Sequence, residues 1–199
     1  LKNMEEESVD LVVCDPPYKT TKRGTSGTMK GFFLTKEGKN GKGGFKHNDL
    51  KIEDYLPLLY KVMKPQSHGY LMCNDKNLVD FHLAIKKQGF KVFKTLIWSK
   101  NNVVANQFYM GSHEYIIFFR KGKAKMINER GTRSVLTYKN PKPKIHPSEK
   151  PVDLLEVLIK NSSEENEVVL DFAMGSGSTC IASLNLNRRF IGIEKDSSF

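Results

Sequence analysis

Two spacings alternate along the chain: short unbroken apolar runs, and longer stretches in which apolar residues recur every three or four positions. The first suits buried strands and the second amphipathic helices, so the pattern predicts a largely parallel sheet covered by helices. Val9, Leu11, Val12 and Val13 form the first strand, which stops at Asp15-Pro16-Pro17-Tyr18. Two prolines cannot donate to a ladder, so the chain must turn there. From Ile52 to Met63 the spacing of Leu56, Leu59, Tyr60 and Met63 predicts a helix, with Pro57 in its first turn and Pro65 as its stop. Gly69 to Cys73 reads as a second strand, followed by a helix with Leu78, Phe81, His82 and Ile85 on one stripe and Gly89 just past its end. Residues 91–100 and 113–120 read as the arms of a β-hairpin whose polar tip holds Asn101, Asn102, Asn106 and Gln107. Pro151 suits the first position of a helix that buries Leu154, Leu155, Leu158 and Ile159. Val168 to Phe172 is a third buried strand. A helix from about Thr179 to Asn187 and a strand from Arg189 to Glu194 complete a βαβ unit.

This layout presents Asp15 and Tyr18 just beyond the carboxyl end of a strand, the edge where open α/β sheets keep their sites. An aspartate carboxylate and the Pro16 carbonyl are two acceptors on a rigid bend, suited to the two hydrogens of an exocyclic amine on a base. Accepting both hydrogens favours a pyramidal nitrogen whose lone pair points at an electrophile, and Tyr18 could stack on the base for about 1–3 kcal/mol. On these four residues alone, a plain proline turn with a capping Asp is an equal reading. The second candidate is Asp171-Phe172-Ala173-Met174-Gly175-Ser176-Gly177-Ser178-Thr179, a glycine-rich strand-to-helix turn that lets a ligand approach the backbone. Glu194, closing the next strand, can hold ribose hydroxyls. A dinucleotide fingerprint would place a third glycine at Cys180, so a nicotinamide site is disfavoured. The start of the helix after His146-Pro147-Ser148-Glu149-Lys150-Pro151 offers N–H groups to an anion, or is simply capped.

Composition narrows the partners. The 199 residues suit one globular domain spanning 1–199, and no 18-residue apolar run predicts a membrane span. Cys14, Cys73 and Cys180 are scattered in apolar runs and read as buried thiols of a reducing cytoplasm; neither they nor the five dispersed histidines show metal-ligand spacing. The net charge of +10 favours a polyanion, nucleic acid before an acidic membrane. Much of it lies in residues 19–48, a glycine-rich loop with eight basic residues against Glu37, read as mobile and placed to grip phosphates. Residues 101–112 and the irregular basic stretch 121–145 read as smaller excursions on the DNA side.

Taken together, Asp15-Pro16-Pro17-Tyr18, the Trp98-Ser99-Lys100 and His113-to-Arg120 hairpin, residues 146–151, residues 171–179 and Phe190-to-Glu194 resemble the DNA amino-methyltransferases that methylate N6 of adenine or N4 of cytosine. The order, with the Asp-Pro-Pro-Tyr tetrad first and the glycine turn last, resembles the circularly permuted β arrangement of bacterial and phage restriction-modification or orphan methylases. The resemblance implies a three-layer α/β/α sandwich with a Rossmann-like, mostly parallel sheet and one antiparallel hairpin strand. It implies S-adenosyl-L-methionine as cofactor and double-stranded DNA as substrate, with the target base flipped out. It also admits a cognate restriction endonuclease and a homodimer as partners.

The implied roles fall on individual residues. Asp15, Pro16, Pro17 and Tyr18 would serve the target base. Phe172, Ala173, Gly175, Ser176, Gly177 and Thr179 would shape the cofactor pocket, which Asp15 also borders, and Glu194 would bind its ribose. Ser148 and Lys150 would lie near its methionine carboxylate, and Asp171 near its amino group. Asp rather than Ser at the head of the tetrad favours adenine over cytosine. Members usually carry an upstream strand and continue past the ribose-binding acid, so the chain reads as trimmed, with one of seven strands expected to be missing. Methylation of RNA or of a glutamine amide is disfavoured, because those relatives tend to show Asn-Pro-Pro-Tyr and the cofactor turn first. A DNA-binding module that has lost catalysis is the non-enzymatic reading.

Overall fold

In the computed structural model, residues 1–18, 50–104, 108–143 and 149–195 are described. The basic stretch 19–48, Asn106, Gln107 and Ser148 lie outside them.

The strand β1 (Val9–Cys14) sits inside a seven-stranded sheet with β2 (Met63–Cys73), β3 (Lys91–Val104), β4 (Gly111–Arg120), β5 (Val135–Thr137), β6 (Val168–Asp171) and β7 (Arg189–Gly192). Their spatial order is β5-β3-β4-β2-β1-β6-β7. All neighbours run parallel except β4, which is antiparallel to both β2 and β3. The helices are α1 (Ile52–Val62), α2 (Leu78–Lys87), α3 (Val152–Ser162) and α4 (Ser178–Asn185). Side-chain alternation along the strands builds two cores. Val12, Cys14, Leu71, Cys73, Ile117, Phe119 and Leu170 pack with α1 and α2. Leu11, Val13, Tyr70, Met72, Ile116 and Val169 pack with α3 and α4. Both faces are thus covered, which is why these strands read as unbroken apolar runs.

Local chemistry departs from expectation in several places. Pro57 lies inside α1, in its second turn rather than its first, on the exposed side. Helix α1 ends at Val62, two residues before Pro65 would stop it, and β2 starts at Met63. Pro65 is tolerated there because β2 bulges: Val9 pairs with Met63 but Leu11 with His68, so residues 64–67 make no regular ladder. Pro151 is the N-cap of α3 rather than its first residue. Gly89 follows α2 at φ +101°, the left-handed end expected of it. The hairpin arms run longer than predicted, and Asn101 and Asn102 belong to β3, not to the tip.

Residues 135–137, read as irregular, form β5 parallel to β3 and bury Leu136. Trp98 fixes that edge, donating from Nε1 to the Tyr138 carbonyl at 2.9 Å while fully buried. With this strand at the outer edge beside β3, the sheet has seven strands among the described residues.

The connections decide where a site can form. From β1 the chain crosses through α1 on one face to β2, and from β6 it crosses through α4 on the other face to β7. Between β1 and β6 the winding therefore reverses, and a crevice opens beyond their carboxyl ends.

Candidate active site

The end of β1 delivers Asp15 to that crevice, and the end of β6 delivers Asp171 and Phe172. Asp15 Oδ2 accepts a hydrogen bond from Lys150 Nζ, while Oδ1 is buried with no hydrogen-bond partner among the described residues. Burial raises the Asp15 pKa and the Lys150 ammonium opposes it. Burial would lower the Lys150 pKa, but Asp15 and Glu114 outweigh it and hold it above the ordinary lysine value. Lys150, expected beside a cofactor carboxylate, is thus placed on Asp15. Two residues with no assigned role join it: Glu114 Oε2 is 3.8 Å from Lys150 Nζ, and Glu114 Oε1 accepts from Lys100.

Tyr18 packs edge-on against Phe81 of α2, ring centroids 6.0 Å apart. Its phenol is pushed well up by burial and by the nearby Asp15 and Glu114 charges, so it stays a neutral aromatic surface. Pro17 and Tyr18 form one wall of a cleft of about 550 Å³ that extends between α1 and α2 past Leu56, Asp80 and Phe81.

Asp171 is buried, and burial raises its pKa against hydrogen bonds from the Thr179 and Cys14 side chains and the Ala173 N–H. The last is 3.2 Å long. Cys14 therefore bridges the two strand ends, and its own thiol is pushed up by burial and by Asp171. The phenyl ring of Phe172 lies 4.8 Å from that of Tyr55 on α1. The turn closes through Gly177 N–H to the Met174 carbonyl at 2.8 Å, and Ser176 and Ser178 hydroxyls stand 3.4 Å apart. Gly175 (φ +50°) and Gly177 (φ +79°) adopt left-handed backbone that other residues resist. A Cβ added at Gly177 would meet nothing within 4 Å among the described residues, so the turn borders open space. Glu194 accepts from Gly175 N–H at 2.9 Å, which sets a carboxylate at the rim of the same turn. A glycine cradle with one carboxylate at its edge suits a ligand carrying a ribose.

Asp15, Lys150, Asp171, Phe172, Gly175 and Glu194 are thus assembled along one sheet edge, with Ser148 outside the described residues. Sequence reasoning missed Glu114 and Lys100. Both strands carry other charged residues, so the pair gives little signal in sequence, and only the register, with Trp98 opposite Glu114, makes Lys100 its diagonal neighbour. Among the described residues no group of His, Cys, Asp and Glu could hold a metal ion, and no helix is long and apolar enough to cross a membrane.

Comparison with known proteins gives a consistent result. The family model described as DNA methylase, of the N6/N4 type, matches residues 9–199. The type II methyltransferase M2.DpnII of Streptococcus pneumoniae is 26% identical over 220 residues, covering 100% of this chain and 82% of that protein. The crystal structure of the M1.HpyAVI–SAM complex superposes with a TM-score of 0.72 at 24% identity, covering 100% of this chain and 87% of that one. The cytosine-N4-specific PvuII DNA methyltransferase superposes with a TM-score of 0.73 at 15% identity, covering 98% and 78%. At these identities the two structures speak for the fold.

Proposed function

We propose that this chain, which belongs to the N6/N4 DNA methylase family, methylates the exocyclic N6 amine of adenine in DNA with S-adenosyl-L-methionine as methyl donor. One observation carries the reading: Asp15 stands at the crevice with one carboxylate oxygen held by Lys150 and the other buried without a hydrogen-bond partner among the described residues. A buried lone pair of this kind costs stability unless a ligand uses it. An amine hydrogen on a flipped base is such a ligand.

In this reading Asp15 Oδ1 and the Pro16 carbonyl accept the two amine hydrogens, Tyr18 stacks on the base, and Pro17 keeps the bend rigid. The amine lone pair is then turned out of the ring, and its proton leaves to Asp15 or solvent once the new bond has formed. Phe172, Ala173, Gly175, Ser176, Gly177 and Thr179 would line the donor pocket, Glu194 would take its ribose hydroxyls and Asp171 its amino group. The donor supplies an electrophilic sulfonium methyl, and the acceleration comes from proximity and orientation. Asp at the head of the tetrad supports adenine over cytosine. A partner restriction endonuclease, a homodimer and a cytoplasmic location accord with this role.

The test is transfer of a labelled methyl group from S-adenosyl-L-methionine to unmethylated DNA, followed by nucleoside analysis. N6-methyladenine is expected. N4-methylcytosine would move the substrate and keep the chemistry; no transfer alongside firm DNA binding would favour the non-enzymatic module.

A further inference from the structure

Four charged side chains alternate in sign from the hairpin to the catalytic loop. Lys100 Nζ, 4.5 Å over the Trp98 ring, pairs with Glu114 Oε1. Glu114 Oε2 lies 3.8 Å from Lys150 Nζ, and Lys150 pairs with Asp15 Oδ2. All four side chains are at most 23% exposed, so water screens them poorly. They come from β3, β4, the segment before α3 and the loop after β1. The ladder therefore ties the hairpin to the residue that receives the target amine.

We propose that Glu114 and Lys100 are positioning residues that act through Lys150 to set how strongly Asp15 holds a proton, and hence the pH at which methyl transfer switches on. The proposal rests on the reading of Asp15 as acceptor of the amine, which requires its ionised form. Glu114 competes with Asp15 for the Lys150 ammonium, which leaves Asp15 more basic. Lys100 neutralises Glu114 and weakens that competition. The Asp15 carboxyl feels each charge accordingly, Glu114 raising its pKa and Lys100 lowering it. The other titratable groups near Asp15 are Cys14 and Tyr18 on its own segment, Cys73 at the end of β2, Tyr55 on α1 and Asp171 on β6. Burial pushes these thiols and phenols up, Cys73 to about 12, so they stay neutral through the acid range. Asp171 is common to wild type and every variant, so its own titration cancels between them.

The experiment is the pH dependence of single-turnover methyl transfer to DNA in the full chain, for wild type, Glu114→Gln, Lys100→Gln and the double variant. Glu114→Gln is expected to move the acid limb to lower pH and Lys100→Gln to higher pH, each on the order of one pH unit for a charge this close at an effective dielectric near 20. The double variant should return near wild type. Glu114→Asp should restore most of the wild-type profile, and S-adenosyl-L-methionine affinity by calorimetry should change less than about threefold throughout. Opposite-signed shifts that cancel are not what loss of packing would produce. Coincident limbs, or shifts of one sign, in a wild-type background that does methylate DNA would overturn the proposal and leave the functional reading standing. A wild-type chain that binds the donor and DNA but transfers nothing would overturn the functional reading, and this proposal with it.

Discussion

Replacing Asp15 with Asn removes one charge and almost no volume, and the geometry around Lys150 dictates the consequence. Lys150 Nζ is an obligate donor seated against Asp15 Oδ2, so it will claim the single carbonyl oxygen of the new side chain. The amide NH2 must then occupy the place of Oδ1, the buried oxygen without a partner among the described residues, and present hydrogens to the hydrogens of the incoming amine. A hydrogen bond to a charged acceptor, worth about 1.5–3 kcal/mol, is lost, and a buried donor is left facing a donor at a further cost of about 1–3 kcal/mol. A loss of about 3–5 kcal/mol of transition-state stabilisation lowers the single-turnover rate roughly 10²- to 10⁴-fold. The fold should survive, since Lys150 keeps Glu114 at 3.8 Å and is not left stranded. The assay is single-turnover transfer of a labelled methyl group to DNA, with donor affinity followed separately by calorimetry. A rate loss under tenfold would refute the role of Asp15 as amine acceptor. So would a defect confined to donor binding, which would relocate Asp15 to the cofactor.

Other parts of the molecule yield three more expected outcomes. Gly69→Ala should destabilise the protein by at least about 1–3 kcal/mol, because the added methyl would stand 2.2 Å from Cζ of the fully buried Phe119, and Phe119→Leu should recover part of the loss; additive melting-temperature losses would show that the two do not collide. His68 is buried between Ser162 Oγ at 2.8 Å and the Lys125 carbonyl at 3.0 Å, and burial lowers its pKa to about 4, so its contribution is present above the unfolded value near 6.5 and is lost as pH falls toward 4, by up to about 3 kcal/mol. Thermal melts from pH 7 to 4 should therefore be shallower in His68→Gln, and equal slopes would exclude the effect. Neutralising Lys36, Lys39 and Lys42 should weaken DNA binding and reduce the salt slope by roughly 0.9 for each phosphate no longer neutralised; an unchanged slope would make those lysines bystanders.

How far the fold could be read from the sequence depended on whether a residue's environment was set by its neighbours in the chain. The core of β1 and β6 was legible because both faces are buried, and an unbroken apolar run has few other homes. Strand β5 was not: three residues with Leu136 alone buried carry no periodicity, and their place is set by Trp98, which reaches across to Tyr138. The β2 bulge was equally silent, since Pro65 breaks a helix as readily as it marks an irregular strand. The site divides along the same line. Asp15, Gly175, Gly177 and Glu194 announce themselves, because a proline bend, a glycine turn and an acid just past a short apolar run are local facts. Strand β7 itself ends at Gly192, two residues before Glu194. The Lys150–Asp15 pair spans 135 positions, and the place of Glu114 beside it depends on hairpin register. Local sequence therefore marks where a reaction can occur. The strength of its central carboxylate is set by charges that meet only after the hairpin, α3 and β1 have docked. Variants of Lys100 and Glu114 on the hairpin are thus expected to tune the pH range of methyl transfer, whereas Asp15→Asn slows the transfer itself.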